Sequence, residues 1–336
     1  MMRLSDTAPF GRDLHRPECV LACRDGSVFV PDWRGGITRI RQDGAQESLL
    51  PSGLEWLRPN SLAILPDASF AVAHLDDVEG GVWRLFPEGG FEPVLTEIDG
   101  RPLPPTNFVL ADGPRLWITV STRLVPRWGA RRPDFADGFV VLVEGGRGRI
   151  VAEGLGFTNE CRLDPSGAWL YVVETFARRI SRFPRENRGG LGARETWVEL
   201  GEGNYPDGIA FDAEGALWAT SIFSNRLLRV TPDRKVTIMI EDHDPAYLAQ
   251  VDEDYTTGRM AATASTNVPA RTLGNLSSLA FGGEELQTIY LGSLLKPEIR
   301  RIRSPVRGLP MSHWELEVPT LDRTSVEPPA MRRKQP

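Results

Sequence analysis

Six positions in this 336-residue chain hold oxygen-bearing side chains at matching places in six similar stretches: Glu18, Asn60, Asn107, Asn159, Asp207 and Ser277. Each stands just ahead of a short apolar run. In the clearest copy, Asn204 to Thr220 (NYPDGIAFDAEGALWAT), Asp207 precedes Ile209-Ala210-Phe211. Carboxylate and amide oxygens gathered in one place suit a hard divalent cation such as Ca²⁺ or Mg²⁺, which takes oxygen ligands rather than thiolates. Glu18 and Asp207 supply the negative charge. Zn²⁺ is the poorer match, because the four histidines, at 15, 74, 243 and 313, fall at none of these positions. A single Asp or Asn before a strand also serves as a turn residue that bonds its own backbone. Six in register carry more information than one.

The elements that must bring these residues together are legible in the same copies. Pro206 fixes its own φ and pushes Tyr205 toward extended geometry, so Asp207 sits at a strand entrance. Asp212 to Gly215 then has the chemistry of a hairpin turn, and Ala216 to Thr220 is a second apolar run. The plan recurs in RPECV, RPNSLAILPDASFAVAHL, PPTNFVLADGPRLWITV, FTNECRLDPSGAWLYVVET and NLSSLAFGGEELQTIYLGSL. Third strands are expected at Gly36 to Arg41, Val82 to Phe86, Phe139 to Val143, Arg179 to Phe183 and Arg226 to Val230. Successive lead residues lie 42, 47, 52, 48 and 70 apart. A hairpin cannot bury its apolar face alone and needs neighbours, and this spacing suits blades of four short strands.

The expected fold is therefore all-β: one six-bladed β-propeller over residues 1–318, with a metal site where the innermost strands converge on the central channel. The long last interval places an insertion at 241–275, DPAYLAQVDEDYTTG being its one helical stretch. As it enters just ahead of Ser277 it belongs on the face of the lead residues, where it is expected to act as a lid. Residues 319–336 read as a C-terminal tail, and closure is expected to pair an N-terminal strand with the last blade.

Composition narrows the function classes. A net charge of −6 and a pI near 5.5 leave no electrostatic footprint for nucleic acid. Neither a signal-peptide core nor a membrane-length apolar run is found, which gives a cytoplasmic expectation with no membrane partner. Cys19, Cys23 and Cys161 are odd in number and lack zinc spacing, so they read as buried thiols. The partner left is a small molecule.

From Pro17-Glu18 to about Arg303 the chain resembles the SMP-30/gluconolactonase family of six-bladed propellers, carried by RPECV, TNECRLDPSGAWLYVVET, YPDGIAFDAEGALWATS and SSLAFGGEELQTIYLGS. The resemblance implies one catalytic divalent cation, Ca²⁺ ahead of Zn²⁺ or Mg²⁺, held by Glu18, Asn107, Asn159 and Asp207. It also implies hydrolysis of a lactone or related ester, the metal polarising the carbonyl and Asp207 serving as ligand and general base. Asn60, Ser277 and His74 join the expected substrate pocket. The chain departs from the family where it has Asn107-Phe108 for Asn-Asp, Asn159-Glu160 for Asn-Gly, and Pro104-Pro105-Thr106 where sugar lactonases carry an Arg. Phe108 and Trp128 in the pocket would suit a more apolar substrate than gluconolactone. Two other readings stay open at this point: a non-catalytic propeller that binds a small molecule around a structural metal, and a metal-free relative resembling strictosidine synthase.

Overall fold

In the fifth repeat, Asp212 shows how local chemistry fixes a blade. Its Oδ1 accepts hydrogen bonds from the backbone N–H groups of Glu214 and Ala216, each at 2.9 Å, which closes the turn. Its Oδ2 accepts from Trp218 Nε1 and from Arg229 Nε, both at 2.8 Å, and so ties three strands together. Around this turn Tyr205–Phe211, Leu217–Ile222, Arg226–Val230 and Val236–Glu241 form a four-stranded antiparallel sheet.

The computed structural model describes residues 2–186, 189–269 and 271–321, and five more sheets of the same order complete a six-bladed propeller. Their innermost strands are Leu21–Ala22, Pro59–Ile64, Thr106–Asp112, Thr158–Leu163 and Leu276–Gly282. Third strands run over Gly36–Ile40, Gly80–Leu85, Gly138–Glu144, Arg179–Pro184 and Arg226–Val230, each within two residues of its expected bounds. The innermost strands are buried along nearly their whole length rather than at alternate residues, because both faces of each sheet pack on neighbouring blades. Leu276–Gly282, for example, is buried at every residue.

The sixth blade is closed by the start of the chain. Ala8–Phe10 pairs antiparallel with Ile299–Arg301 as the outermost strand, in the register Ala8 to Arg301 and Phe10 to Ile299. The ring is thus shut by hydrogen bonds between the two ends of the polypeptide, and the exposed edge that an open array would present is covered.

Two segments outside the blades cap the channel ends. The single α-helix among the described residues, α1 (Pro245–Thr256), lies in the insertion. Asp244 caps it by accepting from Tyr247 N, and Pro at its first turn needs no donor. At the opposite end, residues 309–321 cross the mouth. There His313 Nε2 donates to the Ala22 carbonyl at 2.9 Å, and Met311, Trp314 and Leu321 pack on the core. Residues 319–321, expected to begin a tail, include the buried Pro319 and Leu321; 322–336 lie outside the described residues.

Candidate metal centre

Five of the six lead residues occupy the same structural irregularity. The innermost strand loses register with its neighbour between Pro59 and Ser61, Thr106 and Phe108, Thr158 and Cys161, Pro206 and Ile209, and Leu276 and Leu279. The skipped residues include Asn60, Asn107, Asn159, Asp207 and Ser277, the last three each followed by a second one, Glu160, Gly208 and Ser278. A bulge re-aims the extra residue out of the ladder, so these side chains turn toward the axis at one end of the channel. Glu18, the sixth, precedes the short strand Leu21–Ala22 and reaches the same end from a loop. Two glycines permit the crowding. A Cβ on Gly208 would lie 2.6 Å from Ser278 Cα, and one on Gly292 would lie 2.2 Å from the Glu18 carbonyl oxygen.

Glu18, Asn107, Asn159 and Asp207 line one cavity of about 30 Å³, together with Arg16, Arg127, Arg131, Thr175, Phe157, Phe176 and Phe223. Asn60 lies behind this set: its Nδ2 donates to Glu18 Oε1 at 2.9 Å and to the Asn107 carbonyl at 3.0 Å. Ser277 is likewise a support, donating to the Glu18 carbonyl at 2.8 Å. The two cavity amides are held by hydroxyls. Asn107 Nδ2 meets Ser121 Oγ, and Asn159 Nδ2 meets Thr175 Oγ1, each at 3.1 Å, which fixes the amides so that their Oδ1 atoms are the acceptor ends; Asn107 Oδ1 also takes a long bond from Asn60 Nδ2 at 3.4 Å.

The electrostatics of this cluster are unbalanced. Glu18 Oε2 is buried without a hydrogen bond; Arg16 Nη1 lies 2.7 Å away, but also 2.7 Å from Asn60 Oδ1, to which it donates. Burial, then the charges of Glu18 and Glu160, hold the Asp207 carboxyl well above the usual carboxylate range. A carboxylate oxygen held by an ion pair alone, a second buried carboxyl and two amide oxygens form a donor set that fits a hard divalent cation. Among the described residues no three His, Cys, Asp and Glu side chains form a metal-holding group, so the amides are indispensable to any such site. The cysteines take no part: Cys19, Cys23 and Cys161 are free and buried, and burial pushes each thiol up to about 12.

Three residues expected in the pocket stand elsewhere. Phe108 is fully buried in the core, under the Arg162 guanidinium at 4.9 Å. His74 accepts from Arg58 N through Nδ1 at 3.0 Å and packs edge-on against Trp56, and burial lowers its pKa to about 4. Trp128 sits in the short 3₁₀ turn Arg127–Ala130 and is half-buried, but the cavity wall is built by its neighbours Arg127 and Arg131. An aromatic beside a lead position was the misleading signal. The basic run from Arg123 to Arg132, to which the sequence reading gave no role, is the signal that could have found Arg127 and Arg131.

A sequence profile described as the SMP-30/Gluconolactonase/LRE-like region matches residues 17–243. The chain belongs to this family. A 6-deoxy-6-sulfogluconolactonase of Pseudomonas putida is 28% identical over 149 residues, 44% of this chain, which spans about two-fifths (41%) of that relative's length. Among solved structures, a gluconolactonase of Xanthomonas campestris superposes with a TM-score of 0.63 at 19% identity, covering 88% of each chain. Regucalcin of Agrobacterium tumefaciens, a calcium-binding protein, superposes at 0.64 with 16% identity over 93% of this chain and 98% of its own. At such identities these two show the fold. Among the described residues no helix is long and apolar enough to cross a membrane.

Two places where this gluconolactonase-family chain departs from the pattern explain each other. Glu160 takes hydrogen bonds from Ser278 Oγ at 2.6 Å and Ile209 N at 3.2 Å and is ion-paired to Arg162 at 3.2 Å, while Arg162 stacks on Phe108. A buried carboxylate requires such a partner, and a buried guanidinium is well served by an aromatic face. Glu160, Arg162 and Phe108 thus fill the channel beneath Asp207 as one unit.

Proposed function

We propose that this chain is a metal-dependent hydrolase of a lactone or related carboxylic ester, with Glu18, Asn107, Asn159 and Asp207 as its centre. The observation that carries this reading is the pair of buried carboxylates beside two amides at one end of the channel, with Arg16 on Glu18 as the one ion pair they make among the described residues. These four residues would hold the divalent cation, Ca²⁺ ahead of Mg²⁺ or Zn²⁺ because every donor is oxygen. When bound, such an ion polarises an ester carbonyl and lowers the pKa of water.

The chain's own residues then have separable tasks. Asp207, the one lining carboxylate without an ion-pair partner among the described residues, receives the proton of the attacking water. Thr175 and Ser121 keep Asn159 and Asn107 in one orientation. Phe157, Phe176, Ile222, Phe223 and Leu294 provide the apolar wall against which the carbons of a ring can lie. The free space of about 30 Å³ is one or two water volumes. Admitting a lactone therefore requires part of the roof to lift, and the insertion 241–275, which contributes Ser265, is the segment we assign as lid. The substrate is a small molecule, and the three free thiols suit a reducing compartment such as the cytoplasm.

The test is a panel of lactones and aryl esters with wild type and Asp207→Asn. Loss of a general base should lower kcat on order of 100-fold or more while far-ultraviolet circular dichroism is retained. Full turnover by Asp207→Asn would remove Asp207 from the chemistry.

A further inference from the structure

Three guanidinium groups, from Arg16, Arg127 and Arg131, line the same cavity as the two carboxylates. Arg16 is engaged by Glu18, but the other two have no ion-pair partner among the described residues. Arg131 is buried, 6% exposed, and donates to neutral groups: the carbonyls of Ala261 and Ala262 at 3.4 and 3.1 Å, and Ser265 Oγ at 3.3 Å. Its Nε has no hydrogen-bond partner among the described residues. Arg127 is half-buried on the 3₁₀ turn, its Nε likewise unpartnered, and no carboxylate lies within ion-pair distance of it among the described residues. Burial pushes both guanidinium groups down, to about 10 for Arg127 and about 9 for Arg131, and repulsion from neighbouring arginines adds to it. Both stay charged at neutral pH.

The lining therefore holds three cations against two carboxylates, and a divalent ion on those carboxylates would raise the positive excess to three. Buried charge without a counter-ion is costly to the free protein. An anionic group delivered by the substrate removes that cost and gains charge-assisted, fork-shaped hydrogen bonds. We propose that Arg127 and Arg131 recognise an anionic oxygen group on the substrate, so that this site prefers a lactone bearing a carboxylate, sulfonate or phosphate over its neutral counterpart. The preference for a charged substrate rests on the lactonase reading; the anion site itself does not. The arginines come from the loop between the second and third strands of the third blade, beside the roof residue Ser265, so the anion would sit at the entrance and the ester deeper, near Asp207.

Two measurements separate this inference from the hydrolase reading. The first compares kcat/KM for glucono-lactone with that for lactones of the same ring carrying a carboxylate, a sulfonate or a phosphate at C6, in wild type, Arg127→Gln, Arg131→Gln and the corresponding Lys variants. Wild type should prefer at least one charged lactone. The Gln variants should reduce the charged-to-neutral ratio by 10-fold or more, mainly through KM, and the Lys variants should restore part of it. The second is titration calorimetry with the open-chain C6 carboxylate, sulfonate and phosphate acids, which needs no turnover. At least one should bind wild type at least 10-fold tighter than the Gln variants. Calorimetric binding that depends on the arginines, with no lactone hydrolysed, would retain the anion site and discard the hydrolase. Equal affinities in wild type and Gln variants, or no preference of wild type for any charged lactone it hydrolyses, would overturn the inference. The Lys variants guard against loss of fold.

Discussion

His313 shows how one buried residue sets a pH response. Its Nε2 donates to the Ala22 carbonyl inside the C-terminal cap, and burial lowers its pKa to about 4 from an ordinary value near 6.5. The folded state therefore prefers the neutral ring. Stability from this preference is complete above about pH 6.5 and is lost as pH falls toward 4, where the unfolded chain binds a proton that the folded chain refuses. The gap corresponds to roughly 3 kcal/mol. His313→Asn keeps a donor for the Ala22 carbonyl but cannot titrate. Urea unfolding at pH 7 and pH 4.5 should show wild type losing roughly 2 kcal/mol more than the variant between those values; equal losses would contradict the assignment. His74, lowered to about 4 in the same way, contributes to the slope common to both proteins. At this scale the sequence was an incomplete guide. Residue type and spacing singled out six lead residues, of which Glu18, Asn107, Asn159 and Asp207 share one cavity; Phe108 and His74, also expected in the pocket, are core. An apolar or aromatic side chain next to a lead position carries no mark of which face it takes, because a bulge, invisible in the sequence, decides that.

At the scale of elements, the hairpins and third strands were legible because each repeat combines apolar runs with Asp/Gly turns. The bulges and the arginine-bearing roof were not, since both depend on how adjacent blades pack. The N-terminal strand is the element with the largest leverage. Ala8–Phe10 supplies the fourth strand of the last blade through three paired positions, and Phe10 packs on Tyr290 with ring centroids 5.3 Å apart. Removing residues 2–10 should therefore open the ring, expose the edge Ile299–Arg303 and bury less apolar surface. The truncated protein should melt lower and self-associate more by sedimentation than full-length protein. An unchanged melting curve would show that the other blades hold the ring closed without it.

For the whole molecule, the organisation is a stable ring that concentrates charge at one end. Five lead residues are turned inward by bulges and a sixth arrives on a loop, so like charges are forced together away from water. Arg16 offsets the repulsion between Glu18 and Asp207 on the Glu18 side, and a cation held by both carboxylates would relieve the rest and stabilise the fold. Stability and turnover should then depend on the same ion, because a ligand bound only by the folded state stabilises it by about 2.7 kcal/mol at a hundredfold excess over Kd. The most direct measurement follows lactone hydrolysis and Tm together as Ca²⁺, Mg²⁺ or Zn²⁺ is returned to chelator-treated protein. Wild type should regain activity and a few degrees of Tm over the same concentration range, while the Glu18→Gln, Asp207→Asn double variant regains neither. Hydrolysis and Tm in chelated wild type equal to those in millimolar divalent cation would contradict a catalytic metal at these residues.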